Sequence, residues 1–264
     1  MKYLNLSIIA LCIILFSTCT KDDNSRAVQP NDFPQVKSIS VSGAIVANFS
    51  YNTKGQLSEI TYKSSTNLHG TNEKFTYDAA GKLMKAVNSV DSIVYSYNSS
   101  GMLLKIDSYR DWKTNTDPTD TKMIYSYDTS GKISSISFTT GTKAGGETMP
   151  YVATYNYNSE GLFSGYNYSL YSPYRKFIVN GYNDEVLINP IIFERFSIIK
   201  DILNLNGIAR LKKIPRTIYD YEDGELLEGY TFNLVVSGKQ VNKIESTFTL
   251  KGNLYIGSSY TLQY

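Results

Sequence analysis

The sequence has very few residues that could form a disulfide, bind a metal ion or act as a general base. Two cysteines and one histidine occur among 264 residues. Cys12 lies in an apolar N-terminal run, so a chain cleaved after that run can form no internal disulfide and no Cys/His metal site. His69 is flanked by Asn, Leu, Gly and Thr, which is typical of an exposed loop and not of a catalytic site. We therefore expect no cofactor.

A strong excess of charge of one sign is also missing. Lys and Arg total 26 against 24 Asp and Glu, so the net charge is +2. Binding to nucleic acid requires many basic side chains that neutralise phosphates. The composition therefore argues against nucleic acid as a partner.

The common catalytic motifs are absent as well. The sequence contains no Gly-x-Ser-x-Gly elbow, phosphate-binding glycine-rich loop or His-Glu-x-x-His motif. One acidic segment could bind a hard cation, but its spacing does not match an EF-hand, and surface charges are the favoured interpretation. Its members are Asp107, Asp111, Asp117 and Asp120. We expect a non-enzymatic protein; the alternative is a carbohydrate-active hydrolase that uses paired carboxylates.

The N-terminus has the three regions of a secretory signal. Lys2 precedes an apolar stretch from Leu4 to Phe16, and Ser17 and Thr18 precede Cys19. The stretch is shorter than the roughly 20 apolar residues of a transmembrane helix. We expect residues 1–18 to be removed as a signal peptide.

Leu15–Cys19 resembles the lipobox of bacterial lipoproteins, in the relaxed form of Bacteroidetes-type lipoproteins. The resemblance implies that Cys19 carries lipid such as palmitate and anchors the chain to the outer membrane. Lys21, Asp22 and Asp23 are similar to the signal that such bacteria use for export to the cell surface; a solvated tether is the alternative interpretation. Because residues 19–34 are rich in Asp, Asn, Gln and Pro, they are predicted to form a flexible lipidated tether.

Five copies of an aromatic repeat extend over about residues 45–169. Each copy reads aromatic-x-Tyr-(Asn/Asp)-x-x-Gly-x-(Leu/Ile/Phe), with the tyrosine at positions 51, 77, 97, 127 and 157. Aromatic residues two apart share one face of a strand, Asn or Asp begins a type I turn, and Gly supplies a positive φ. Each copy is predicted to be a β-hairpin in which the tyrosine faces the residue two after the glycine. The structural turn glycines are Gly55, Gly81, Gly101, Gly131 and Gly161.

These units resemble the YD repeats of Rhs-type shell proteins. Together with the leader, they more closely resemble a family of uncharacterised Bacteroidetes lipoproteins with a porin-like fold. The resemblance implies an all-β, antiparallel meander of hairpins over residues 35–264, a single domain closed into a porin-like but water-soluble barrel. An open curved or spiral YD-repeat sheet is the alternative. A membrane-spanning barrel is disfavoured, because Glu59, Lys85 and Lys105 are predicted to share a face with the Tyr–Leu pairs.

One helix is predicted near residues 190–205. Asn189 is a suitable N-cap, and Pro190 fits the first turn. Apolar residues then recur at helical spacing, namely Ile192, Phe193, Phe196, Ile199, Ile202 and Leu203. We expect this helix to cover one open end of the core; a plug or lid is the alternative.

The long connections between the repeats are expected at the end of the sheet opposite the repeat turns. They are Lys63–Lys74, Ser108–Thr121 and Thr139–Pro150. The candidate ligand contacts are Tyr109, Arg110 and Trp112, where the tryptophan could stack on a sugar, anchor a protein interface or pack against the base of its own loop. The sequence thus predicts a lipid-anchored protein of the outer membrane, exposed at the cell surface, that binds a glycan or surface protein or helps to assemble the envelope.

Overall fold

The structure is a computed structural model that describes residues 33–63, 72–110, 121–139, 141–142, 146–147, 151–169, 175–183, 188–189, 191–192 and 214–264. Sixteen of the described strands close into a barrel, and β10 and β11 form a separate two-stranded hairpin. The strands are β1 (Ser38–Val41), β2 (Ala44–Tyr51), β3 (Leu57–Tyr62), β4 (Glu73–Tyr77), β5 (Leu83–Val87), β6 (Asp91–Tyr97), β7 (Leu103–Arg110), β8 (Thr121–Tyr127), β9 (Ile133–Thr139), β10 (Gly141–Thr142), β11 (Gly146–Glu147), β12 (Tyr151–Tyr157), β13 (Phe163–Ser169), β14 (Arg175–Val179), β15 (Thr217–Glu222), β16 (Glu225–Ser237), β17 (Gln240–Leu250) and β18 (Asn253–Gln263).

The barrel is an antiparallel meander in which each strand pairs with its neighbour along the chain. β12 pairs with β9, since the small β10–β11 hairpin lies between them in sequence. The first strand closes the barrel against the last, with Ile39 opposite Leu262. The predicted closed all-β barrel is therefore confirmed, and the open or spiral sheet is wrong.

The meander gives the barrel two different ends. The five repeat turns, at residues 52–55, 78–81, 98–101, 128–131 and 158–161, lie together at what we call the turn end, because successive antiparallel connections alternate between ends. The opposite end, here the loop end, receives the connections after β3, β7, β9 and β13. It also receives the short Asn88–Val90 turn between β5 and β6, so the connections at this end are not all long.

The predicted register of the hairpins is confirmed. Each repeat tyrosine pairs with the residue two after the glycine, as Tyr51 does with Leu57 and Tyr157 with Phe163; the other three repeats show the same pairing. In every repeat the pairing register of the two strands shifts by one residue directly beside the tyrosine. Each repeat therefore carries a β-bulge that its glycine spacing does not indicate.

This bulge makes one prediction wrong. The sequence predicts Glu59, Lys85 and Lys105 on the face of the Tyr–Leu pairs, but the extra residue in each bulge moves them to the other face. Glu59 lies opposite Ser50, which is exposed on the outside of the barrel. Lys85 and Lys105 occupy the equivalent positions in the second and third repeats.

The interior of the barrel is apolar and the outer wall is largely polar. The largest fully buried side chains are Tyr166, Phe232, Ile39, Leu57, Ile60, Ile106, Ile136, Ile192, Ile218 and Ile244. Outward positions beside the repeat tyrosines are Ser50, Thr76, Ser96, Ser126 and Asn156. A transmembrane barrel has the opposite arrangement, with an apolar band facing lipid and a polar lumen. Polarity therefore favours a barrel wall that faces water.

Each repeat turn is held by its Asn or Asp side chain. Asn52 Oδ1 accepts hydrogen bonds from the backbone N–H groups of Lys54 and Gln56, at 2.9 and 3.0 Å. Asp128 Oδ1 accepts the equivalent bonds from Ser130 and Lys132, at 2.8 and 2.9 Å. The five repeat glycines have φ between 75° and 87°, the left-handed conformation that side chains with a Cβ rarely adopt.

A row of tyrosine hydroxyl groups links neighbouring hairpins at the turn end. Tyr77 Oη donates to the Leu57 carbonyl of the preceding repeat at 2.7 Å, and Tyr97 Oη donates to the Leu83 carbonyl at 2.7 Å. Similar bonds, all to backbone carbonyls, join Tyr51 to Val36, Tyr127 to Leu103, Tyr157 to Ile133, Tyr182 to Phe163 and Tyr264 to Val241. Burial raises the pKa of Tyr51, Tyr77 and Tyr157 above the ordinary tyrosine value, so the hydroxyls remain donors at neutral pH.

The connection from β14 to β15 lies at the turn end and contributes to the core. Ile188, Ile192 and Ile214 are buried. Asn189 Oδ1 accepts a hydrogen bond from Ile191 N at 3.0 Å, and residues 191–192 are helical, as the predicted N-cap requires. The rest of the predicted helix lies outside the described residues. Within the described part of the chain, no helix has the length and apolar character needed to cross a membrane.

Replacing Gly131 by valine tests the turn geometry. A Cβ at Gly131 would meet no atom within 4 Å, so the cost is backbone strain alone, about 1 to 3 kcal/mol. We expect urea unfolding to show that loss, and Gly131→Asn to lose less because Asn tolerates positive φ. Equal stability of the wild type and both variants would contradict the assignment. Gly101→Val would not measure backbone strain alone, because the added Cβ would lie 2.8 Å from Lys82 Nζ.

Replacing Tyr77 by phenylalanine tests the hydroxyl row. The variant keeps the ring but removes the donor to the Leu57 carbonyl, which should lower the free energy of unfolding by about 1 to 2 kcal/mol. The matched control is Tyr125→Phe, since Phe already occupies the equivalent position in the first two repeats, as Phe49 and Phe75. The Tyr125 hydroxyl donates to the Met123 sulfur at 3.9 Å, and a thioether is a weaker acceptor than a carbonyl. If urea unfolding shows the same loss of stability for both variants, the hydroxyl row does not stabilise the barrel more than another tyrosine hydroxyl does.

Candidate functional sites at the loop end

The predicted ligand contacts begin at the last residues of β7. Tyr109 pairs with Ser92, and Arg110 pairs with Asp91. Trp112, the only tryptophan, lies outside the described residues. The structure thus brings Tyr109 and Arg110 to the loop end on a paired strand, and the grouping with Trp112 stays a prediction.

An ionic cluster that the sequence did not reveal lies at the loop end of β14, β15 and β16. Arg175 Nη2 contacts Asp220 Oδ2 directly, and Arg175 Nε lies 3.4 Å from Asp220 Oδ1. Glu228 Oε2 is 4.0 Å from the same Arg175 Nη2. Tyr230 Oη donates a hydrogen bond to Glu228. One guanidinium therefore joins two carboxylates on adjacent strands.

The strands place this cluster on the inward face. Asp220 lies directly opposite both Phe177 and Glu228 in the sheet, and Phe177 is part of the core. The Arg175 guanidinium carbon lies 5.7 Å from the centre of the Phe177 ring, close enough for a cation–π contact. The Asp220 side chain is 0% exposed, whereas that of Arg175 is 33% exposed. The arginine therefore separates a buried carboxylate from water at the barrel mouth.

Burial dominates the electrostatics of this cluster. Loss of hydration raises the pKa of Asp220, and the hydrogen bond and charge of Arg175 oppose this effect only in part. Burial also raises the pKa of Tyr230, and its hydrogen bond to Glu228 raises it further. An unpaired Asp220 carboxylate would be costly to bury, so Arg175 stabilises the charged form.

The two carboxylates do not form a hydrolase site. A glycosidase needs both carboxyl groups within reach of the scissile bond. Asp220 has no exposed surface, and the Arg175 guanidinium lies against both carboxylates. A substrate could therefore reach Asp220 only if this ion pair separated.

The acidic segment predicted near Asp107 has a different structure. Asp107 lies inside β7, is buried, and pairs with Lys105 Nζ at 2.6 Å. It is therefore not a loop residue. Asp111, Asp117 and Asp120 lie outside the described residues, as does His69. Across the described residues, no group of three or more His, Cys, Asp or Glu side chains could hold a metal ion.

A polar concavity of about 790 Å³ lies on the barrel wall formed by β16, β17 and β18. Its exposed lining includes Thr231, Asn233, Ser259 and Thr261. Lys243 and Glu245, which are 2.6 Å apart, add an ion pair. This surface can hydrogen-bond a polar ligand, but it contains no buried charge and no metal-ligand set.

The barrel is similar to solved structures of porin-like proteins. A porin-like protein from Bacteroides vulgatus ATCC 8482 superposes with a TM-score of 0.54 at 11% identity, covering 88% of this chain and 99% of that chain. A porin-like protein from Bacteroides uniformis ATCC 8492 gives a TM-score of 0.50 at 11% identity, covering 89% and 99%. At this identity the likeness shows the fold alone, the porin-like barrel.

Other comparisons add no function. No family model matches the sequence, and no curated protein matches it. A structure of the Photorhabdus luminescens Tc holotoxin pore covers 82% of this chain and 9% of that chain at 18% identity, with a TM-score of 0.32, too low to support an argument. The YD-repeat and lipoprotein resemblances stay predictions.

Removing Arg175 tests whether the ionic cluster stabilises the barrel mouth. Arg175→Ala leaves the buried Asp220 carboxylate unpaired and should lower the free energy of unfolding by about 3 to 5 kcal/mol. The double variant Arg175→Met with Asp220→Leu should recover much of this loss in denaturant unfolding. The control is Lys243→Ala, because its ion pair is exposed and should contribute at most about 1 kcal/mol. Equal effects of the two single variants would contradict the structural role.

Proposed function

We propose that this chain is a non-enzymatic, lipid-anchored protein of the bacterial outer membrane that presents its loop end to the outside of the cell. The observation that carries the proposal is where the chain enters the barrel. Lys37 N donates to the Gln263 carbonyl at 2.6 Å, and the Val36 carbonyl accepts from Tyr51 at 2.9 Å. Both contacts lie at the turn end. A tether that begins at Cys19 therefore joins the barrel at the turn end, opposite the connections after β3, β7, β9 and β13.

This orientation supports a binding role for the loop end. Long connections on a rigid sheet scaffold are where binding residues commonly occur. Tyr109 and Arg110 are at this end on a paired strand, and Trp112 follows two residues later in sequence. An aromatic and arginine grouping suits stacking on a sugar ring or anchoring a protein interface. We propose a cell-surface glycan or envelope protein as the partner.

The polarity of the barrel supports an anchor outside the fold itself. The described outer wall carries Ser, Thr, Asn, Lys and Glu side chains beside the repeat tyrosines. Because lipid-facing strands need a continuous apolar band, attachment to a membrane would have to come from elsewhere. A doubly acylated Cys19 would be sufficient, since two lipid signals give stable anchoring.

Lipid attachment and surface export can be separated by two variants. In Cys19→Ala, fatty-acid metabolic labelling of the protein should disappear. Replacing Lys21, Asp22 and Asp23 together with alanine should leave labelling intact, and protease added to whole cells should no longer cleave the protein. Unchanged labelling in Cys19→Ala would contradict lipidation. A wild-type protein that resists protease on whole cells would contradict surface exposure.

Ligand binding is tested at Trp112. Trp112→Ala should weaken binding to an array of cell-surface glycans, or to envelope proteins captured with the wild type, by at least about tenfold if the ring is a binding hot spot. Trp112→Phe keeps a stacking surface and should retain most of the binding. The melting temperature should change little in either variant. A large loss of stability with binding retained would show that Trp112 packs against its own loop.

A further inference from the structure

The hairpin between β16 and β17 extends beyond its other neighbour at the turn end. β16 pairs with β15 as far as Thr231, but with β17 as far as Ser237. Near the tip of this extension, Val235 is 49% exposed and Val236 is 41% exposed. Neither valine is part of the buried core. The hairpin therefore exposes two apolar side chains near its tip at the turn end.

This hairpin lies beside the point where the tether joins the barrel. Tyr264 Oη donates to the Val241 carbonyl on β17 at 2.6 Å. Lys37 Nζ, on the tether side, donates to a backbone oxygen of Tyr264 at 3.1 Å. Val235 and Val236 lie on β16, so two strands, β17 and β18, separate them from the tether root at β1.

Basic side chains predominate among the described residues at this end. They are Lys37, Lys54, Lys82, Lys132, Arg216 and Lys239. The described acidic residues of the same end are Asp78, Asp128 and Glu160. Asp78 and Asp128 accept hydrogen bonds from the backbone of their own turns. Of the basic residues, Lys37, Arg216 and Lys239 lie in or beside strands and turns within two strands of the β16–β17 tip. Basic residues beside an exposed apolar tip form a surface that can bind anionic lipid headgroups.

We propose that the turn end is a membrane-contact surface, in which Val235 and Val236 enter the headgroup region and the surrounding lysines bind anionic lipid. The inference rests on the proposed lipid anchor, which would hold this end near the bilayer. It adds a second attachment that fixes the orientation of the barrel. Lysine attraction at a membrane surface weakens as salt rises, because exposed charges are screened.

The experiment uses the mature chain with Cys19→Ala, so that it does not depend on acylation. Because Cys12 lies in the leader, this chain has no other cysteine, and a single introduced cysteine can be labelled. An environment-sensitive fluorophore is attached in Val236→Cys and, as the matched control, in Leu254→Cys. Leu254 is 71% exposed and lies beside the Lys251–Gly252 turn at the loop end. Both are mixed with vesicles of phosphatidylethanolamine and phosphatidylglycerol, or with neutral phosphatidylcholine vesicles.

We expect a blue shift at position 236 with anionic vesicles, reversed by salt, and none at position 254. Lys54→Gln combined with Lys239→Gln should weaken vesicle binding at least about tenfold, whereas Lys251→Gln should leave it unchanged. No shift at position 236, or an equal shift at both positions, would overturn the proposal. A shift at position 236 without vesicles would instead indicate a second copy of the chain. Failure of lipid anchoring would appear separately, as unchanged fatty-acid labelling in Cys19→Ala.

Discussion

The barrel depends on the hydrogen bonds that tyrosine hydroxyls donate across neighbouring hairpins at the turn end. In every repeat the register shifts directly after the Tyr–Leu pair, and the carbonyl of the residue beside that bulge accepts the hydroxyl of the next tyrosine. A polar backbone group at this position would otherwise lose hydrogen bonding to water on burial. The same bonds connect each local hairpin to the one before it, so they act between units that are 14 to 24 residues apart.

This constraint accounts for a detail of the repeat. The first aromatic position holds Phe or Tyr, but the second holds Tyr in all five copies. Packing alone does not require the difference, because both rings point inward. The second ring carries the hydroxyl that donates to the neighbouring hairpin, whereas Phe49 and Phe75 show that the first position can lack a hydroxyl. The sequence itself contains this pattern. A position that holds only tyrosine, next to one that holds either phenylalanine or tyrosine, is the signal that predicts hydrogen bonds between the hairpins.

Local hairpin geometry could be predicted from the sequence, whereas the ionic cluster at the loop end could not. The Asn or Asp, the glycine and the paired apolar residue all lie within one repeat, so turn and register follow from local rules. The repeat sequence does not predict the bulge, because its extra residue has no consistent chemistry: the position holds Ser58, Met84 or Leu104 in the first three copies. In the first repeat this extra residue places Glu59 on the opposite face of the strand from the predicted one, since strand faces alternate. Arg175 and Asp220 are 45 residues apart, and no local pattern links them.

An aromatic cluster fills the interior beside β12, β13 and β14. Tyr166 stacks on Phe177 with ring centres 4.5 Å apart, and the same cluster extends to Tyr155 and Phe163. The described interior is thus packed with aromatic side chains beside these strands. The two ends differ chemically, because one presents the repeat turns and the tether root and the other presents varied connections over the Arg175–Asp220 pair. A rigid, closed sheet between them keeps the two ends at a fixed separation, so anchoring one end would determine how the other faces its surroundings.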